Sequence, residues 1–268
     1  MTESRPMRRR NRPPKTGARA VAATPAPRTG GVYAASVWLL GAFLLAMVVA
    51  FWPTYFSRLA DQPTYHPHLH GLAMTAWCVL VVAQAVLIRS GRRALHARLG
   101  LTSYALVPLM VAATLHFIHF RVRGVADLGP FGLYFLSLIV NALVAFVALW
   151  GLGLYHRARP AVHARYMLAT VFPLFTPVTD RLFGPYVPSV VSLVPRIDGA
   201  PVLPAAGFLL ADGLLVGLCL WDWRVNRRTD VFPVALAIVV AYHVSVLTFY
   251  RLPAWAAFGA WFVTLPLS

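Results

Sequence analysis

Charge is scarce in this sequence. Charged residues occupy 12% of the 268 positions, where soluble domains carry about 25%, and only 8 of them are acidic. Apolar residues make up 59%, with a mean hydropathy of +0.67, and a water-soluble core of this size cannot hide that much apolar surface. Cysteine is nearly absent: Cys78 and Cys219 lie inside separate apolar segments, towards opposite ends of them, which argues against a disulfide framework. No Gly-rich phosphate loop, His-Glu-x-x-His, Cys-x-x-Cys or Gly-x-Ser-x-Gly occurs, so soluble nucleotide chemistry is disfavoured.

Apolar length is what the sequence does have. Runs of roughly 18 to 25 residues recur between short Arg-rich or Pro/Gly-rich stretches, the spacing that a hydrocarbon layer about 30 Å thick imposes on helices. The pattern predicts an all-α fold, a polytopic transmembrane helical bundle with spans at 32–52, 70–88, 98–120, 131–155, 165–183, 205–221 and 232–250. These seven spans place the membrane domain at 32–252. Residues 253–268 are apolar and Trp-rich but too few to cross, so an interfacial or re-entrant tail is expected. Trp52, Tyr55, Trp221, Trp223, Tyr250 and Trp255 fall near predicted span ends, where aromatic rings anchor helices at the headgroups.

The formal charge of +16 sits in a tail and in short loops rather than along one solvated face, so it reads as topology, and no nucleic-acid partner is expected. Residues 1–31 hold Arg5, Arg8, Arg9, Arg10, Arg12, Lys15, Arg19 and Arg28 against Glu3 alone, the composition of a disordered basic tail. The loops with Arg89, Arg92, Arg93 and Arg98, with Arg157, Arg159 and Arg165, and with Arg224, Arg227 and Arg228 must share a side with that tail. The positive-inside rule makes that side the cytoplasm. The alternate loops, around Asp61, Asp127 and Asp198, carry acids and face outward, which gives an N-in, C-out chain in a lipid bilayer.

Two of the basic loops repeat each other. Arg92-Arg93-Ala94-Leu95-His96-Ala97-Arg98-Leu99-Gly100-Leu101 and Arg159-Pro160-Ala161-Val162-His163-Ala164-Arg165-Tyr166-Met167-Leu168 are identical at six of ten positions, 67 residues apart. The third and fifth spans would then enter the membrane from one side with one His-Ala-Arg motif, as in an internal repeat of helical hairpins.

Ionisable side chains within a span are costly, so each is a functional candidate. His96 and His163 fall at equal depth on parallel helices and could ligate a b-type haem axially, with Arg98 and Arg165 beside its propionates. The plain alternative is that such residues anchor a helix among headgroups. A second group gathers at the other face: His66, His68 and His70, with His116 and His119. His66 and His70 are four apart and His116 and His119 three apart, a spacing that shares a helix face and suits a zinc, copper or iron ion. Pro67 counts against helical backbone at His66. Asp180 beside Arg181, Asp212 and His243 are further polar residues inside spans; Asp212 needs a proton, a cation or a basic partner. Asn141 is a candidate interhelical hydrogen bonder.

His70-Gly71 with Trp77 and Gln84, Leu95-His96-Ala97-Arg98-Leu99-Gly100, and His163-Ala164-Arg165-Tyr166-Met167 with Arg181 together resemble a group of bacterial multi-pass membrane proteins of unknown function. Those proteins carry a His-Arg-x-Leu-Gly motif and a later His-(Lys/Arg)-Arg-x-Met motif. The resemblance covers about residues 65–185 and implies a bacterial inner (plasma) membrane location and importance for His96 and His163, without naming a reaction. A second likeness is to transmembrane di-haem b-type cytochromes, whose ligating histidines stand in two layers on four helices. His96 and His163 match one layer. In the other, His70 has no counterpart on the fourth span, which offers only Asn141, so a second haem would have to recruit His116 or His119.

Three readings follow from these residues. One is a membrane redox protein with haem at His96 and His163 and a quinone or redox partner at the other cluster. Another is an intramembrane metal-dependent hydrolase, with a metal held by His70, His116, His119 or His243 and Asp180 or Asp212 as general base. The last is a transporter or assembly factor without catalysis, favoured by the repeat and by Pro173, Pro177, Pro185 and Pro188.

Overall fold

The computed structural model describes residues 30–268, so the basic tail expected at 1–31 lies outside the described residues but for its last two positions. α1 (Gly30–Phe51) leads through a short 3₁₀ stretch to α2 (His66–Arg89). His66 is the first residue of α2 despite Pro67. A proline in the first turn removes only an N–H that has no intrahelical partner, and this outweighs the local bias against helix before proline. α3 (Arg93–Gly100) and α4 (Ser103–Val122) run on as one 30-residue span with a turn between them, and α5 (Gly129–Tyr155) returns.

The fifth predicted span is not one helix. α6 (Pro160–Ala169) gives way to a 3₁₀ turn at Phe172–Leu174 before α7 (Phe175–Tyr186) resumes. Pro173 and Pro177 have no N–H to offer the carbonyls of Ala169 and Pro173, so the hydrogen-bond ladder fails where the sequence places them. α8 (Pro188–Leu193) then leads to a hairpin of β1 (Arg196–Ile197) and β2 (Ala200–Pro201). Asp198 and Gly199 turn it with φ of 49° and 77°, the positive pair that a two-residue hairpin requires. Asp198 Oδ2 accepts from the Phe131 N–H at 3.2 Å, so the hairpin tip caps the start of α5 with a carboxylate. α9 (Pro204–Asn226), α10 (Phe232–Thr248) and the ten-residue α11 (Pro253–Phe262) complete the chain.

Five helices among the described residues are long and apolar enough to cross a membrane: His66–Arg89, Arg93–Val122, Gly129–Tyr155, Pro204–Asn226 and Phe232–Arg251. The two other predicted spans correspond to α1, apolar over Ala35–Phe51, and to the interrupted pair α6 and α7. The long helices turn large apolar side chains outward, Leu209 at 76% and Val144 at 64% exposure, a surface that water would not tolerate and lipid requires. These are the features of an integral membrane protein of several passes. Its core packs Trp77 edge-on to Phe146, with Met110, Phe172, Leu215 and Phe232 around them.

α2 lies between α1 and α4, α5 packs on α6 and α10, and α9 packs on α7 and α10. The turns after α2, α5 and α9 gather at one arginine-rich end, because His96 meets His163 and Arg165 meets Asp222 there.

Candidate functional site

The arginine-rich end brings together the two histidines of the repeated motif. In both segments an arginine outside helical geometry, Arg92 or Arg159, precedes the helix, and the histidine is its fourth residue. The two imidazole rings stand 6.3 Å apart, centre to centre, with planes at 85°. His163 Nδ1 donates to the Gly153 carbonyl at 2.8 Å, which fixes the tautomer and leaves Nε2 as the acceptor nitrogen. Gly153 carries no side chain because Met167 and Tyr166 press against it; a Cβ there would meet Met167 Sδ at 2.7 Å. The His96 ring faces the backbone of Gln84, and its Nδ1 is buried without a partner in hydrogen-bonding geometry.

The arginines of the motif part company. Arg98 is exposed. Arg165 is 4% exposed and forms a two-bond pair with Asp222 on α9, Nε to Oδ2 at 2.8 Å and Nη2 to Oδ1 at 2.6 Å, while Nη1 donates to the Ala161 carbonyl. Arg165 is therefore committed to a carboxylate of the chain itself, which a propionate would have to displace.

At the opposite end the histidines stack rather than point at one another. His66 lies flat between His116, with ring centres 4.6 Å apart, and Phe120, at 3.9 Å. His116 uses both nitrogens: Nδ1 donates to the Leu267 carbonyl at 2.6 Å and Nε2 accepts from Tyr65 Oη at 2.8 Å. His119 Nδ1 bonds Ser268 Oγ at 2.6 Å. His70 turns to the Thr114 hydroxyl at 3.0 Å; since that hydroxyl donates to the Met110 carbonyl, His70 Nδ1 is the donor. Among the described residues no three of His, Cys, Asp or Glu come together as a metal-ligand set.

A third polar group runs through the helices near that end. His243 Nδ1 lies 3.0 Å from Asp212 Oδ1 without hydrogen-bond alignment, and Phe208 stacks on its ring at 4.0 Å. The basic partner that Asp212 needs is thus the other candidate, His243. Asn141 Nδ2 donates to Ser245 Oγ at 2.8 Å and ties α5 to α10. Asp180 and Arg181 do not meet as an ion pair: Arg181 donates to its own helix at Pro177 and covers the Phe51 ring.

Asp222, which holds Arg165, and the buried hydroxyl residues Tyr134, Thr176 and Tyr242, which lie near His243, escaped the sequence reading. The position of Asp222 carries a usable signal, as a lone acid at the basic end of a span, four residues before Asn226, which also donates to it. The hydroxyl residues sit in apolar runs and give none. Comparison with protein-family models, curated proteins and solved structures finds no match for this chain.

Proposed function

We propose that the chain is a seven-pass protein of the bacterial inner membrane, N-in and C-out, that holds one b-type haem through His96 and His163 and passes electrons. The observation that supports this reading is the imidazole pair. Two imidazoles sharing one metal, each nitrogen about 2 Å from it, have ring centres on the order of 6 Å apart, and these stand at 6.3 Å. Anchoring of the second ring nitrogen to a backbone carbonyl, as at His163, is the support that metal-ligating histidines ordinarily have. Haem would supply one-electron chemistry. The chain's own part is to orient the rings, exclude water through the packing of Met167 and Tyr166, and offer Arg98 to a propionate. A quinone or other redox partner is the acceptor this reading calls for, and the stacked Tyr65, His66 and His116 offer a flat aromatic surface for one.

A reduced-minus-oxidised absorption spectrum of detergent-purified protein tests it, with metal analysis alongside. A b-type band that vanishes in a His96→Ala, His163→Ala double variant is the expected result. Protein purified without haem from haem-replete cells would sink the proposal.

The interrupted helix favours a second reading, a transporter or assembly factor without catalysis, since broken helices free backbone groups to line a cavity. Asp212→Asn would then abolish coupled transport and leave any haem band in place. The geometry does not favour the hydrolase: His70, His116 and His119 are engaged with Thr114, Leu267 and Ser268, and among the described residues no three candidate ligands come together.

A further inference from the structure

Between α5, α7 and α10 three buried polar atoms have no hydrogen-bond partner: Tyr134 Oη, Thr176 Oγ1 and Asp180 Oδ1. Tyr134 is 2% exposed and Thr176 1%, so neither can turn to the outside. Thr176 and Asp180 stand four apart on one face of α7. The carboxylate acts electrostatically on Tyr134 and on Tyr242, and the Tyr242 hydroxyl lies beside Thr176. Tyr134 and Tyr242 share one packed cluster with Phe208 and Val246. Three helices thus bring hydroxyl and carboxyl oxygens into one neighbourhood, within electrostatic reach of Asp180, while Tyr134 Oη, Thr176 Oγ1 and Asp180 Oδ1 make no direct hydrogen bond.

Among the described residues no cation forms an ion pair with this set. Arg181 is adjacent, but its guanidinium is engaged with the Pro177 carbonyl at 3.0 Å and the Phe51 ring at 4.2 Å. The Arg181 charge also reaches His70 of α2. The described side chains of α1, residues 35–51, include no titratable group, and α8 has none. α9 meets α7 at Gly207, and the acid in that half of α9, Asp212, is held beside His243 of α10. A carboxyl with two phenols and one aliphatic hydroxyl, each able to donate and accept, is a set that one small hydrogen-bonding occupant completes.

We propose that Asp180, Tyr134, Thr176 and Tyr242 form a buried proton-exchange site, in which a bridging water passes a proton to and from the Asp180 carboxyl. In the acid form Asp180 donates to the water, which bonds Tyr134, Thr176 and Tyr242, so all three orphaned atoms gain partners; in the base form the proton has left to the medium on the partly exposed side of Asp180, and the water donates to the carboxylate instead. The site is independent of the histidine pair at the arginine-rich end and stands whether or not that pair holds haem.

Infrared difference spectroscopy of the full chain in liposomes, between about pH 5 and pH 9, with and without sodium and in light and heavy water, tests the site. The expected result is a protonated-carboxyl C=O band that titrates with pH, shifts in heavy water and is missing from Asp180→Asn. Tyr134→Phe and Tyr242→Phe each keep the ring and remove one hydroxyl, and each moves the band, so the test survives if Asp180→Asn does not fold. A band untouched by both tyrosine variants overturns the shared site. So does an Asp180 that stays ionised throughout, or one that answers to sodium rather than to pH, which would make the site a cation site.

Discussion

Asp222 accepts two hydrogen bonds from Arg165, 57 residues away in sequence, at 2.8 and 2.6 Å, and a third from Asn226 at 2.7 Å. Both members of the pair are buried, with side chains 5% and 3% exposed. Removing one partner of such a pair leaves an uncompensated charge, at a cost of about 3–5 kcal/mol. Asp222→Ala is expected to lose roughly that much stability, and Arg165→Met with Asp222→Leu to recover most of it. Denaturant unfolding of the three proteins in one detergent measures both effects.

Gly207 lets α9 touch α7. A Cβ there would stand 2.2 Å from Thr179 Oγ1, and that hydroxyl cannot swing aside without giving up its bond to the Thr176 carbonyl at 3.1 Å. Gly207→Ala should therefore destabilise by about 1–3 kcal/mol, and Thr179→Ala should suppress much of the loss. Melting temperatures of the two single variants and the double variant decide it; equal losses with and without Thr179 would refute the contact.

The Asn141–Ser245 bond joins α5 to α10 within the membrane-spanning region. Interhelical hydrogen bonds of this kind contribute about 0.6 kcal/mol, with a maximum near 1.7. A double-mutant cycle of Asn141→Leu and Ser245→Ala should return a coupling in that range, and a zero would mean that the helices do not share the bond.

Asp230 lies in the turn before α10. Partial burial pushes its carboxyl up, but the hydrogen bond and charge of Arg228 outweigh it and hold the group below the usual carboxylate range. A depressed folded value adds stability at neutral pH, and that stability is lost as acid protonates the group. The pair is partly exposed, so about 0.2–1 kcal/mol is at stake. Below roughly pH 4 the difference in melting temperature between the parent and Asp230→Asn should shrink towards zero. A difference that persists unchanged into acid would contradict the assignment.

The length of the apolar runs is enough to place every long helix, because hydrocarbon thickness acts on each run separately. The interruption between α6 and α7 departs from the single span expected at 165–183, although Pro173 and Pro177, which cause it, stand in the sequence. Partnerships are harder. Asp212 and His243 each stand out in the sequence as polar residues in apolar spans, but only packing of α9 on α10 shows that they answer each other. Spacing puts His66 and His70 on one helix face, yet aromatic stacking claims His66 and the Thr114 hydroxyl claims His70. Reading the loop arginines as topology conceals the role of Arg165, whose acid lies on a different long helix.

His163 and Arg165 are two residues apart on α6, and on a helix such residues leave nearly opposite sides of the cylinder. One is tied to the main chain of α5 at Gly153 and the other to α9 at Asp222. α6 is thus braced like a spar between two uprights, and turning it about its axis breaks a bond on each side. A torque applied to α7 is taken up at Ala169–Phe175, where the ladder is already open, before it reaches the imidazoles. The same prolines that weaken the helix therefore insulate the histidine pair from movement of α7.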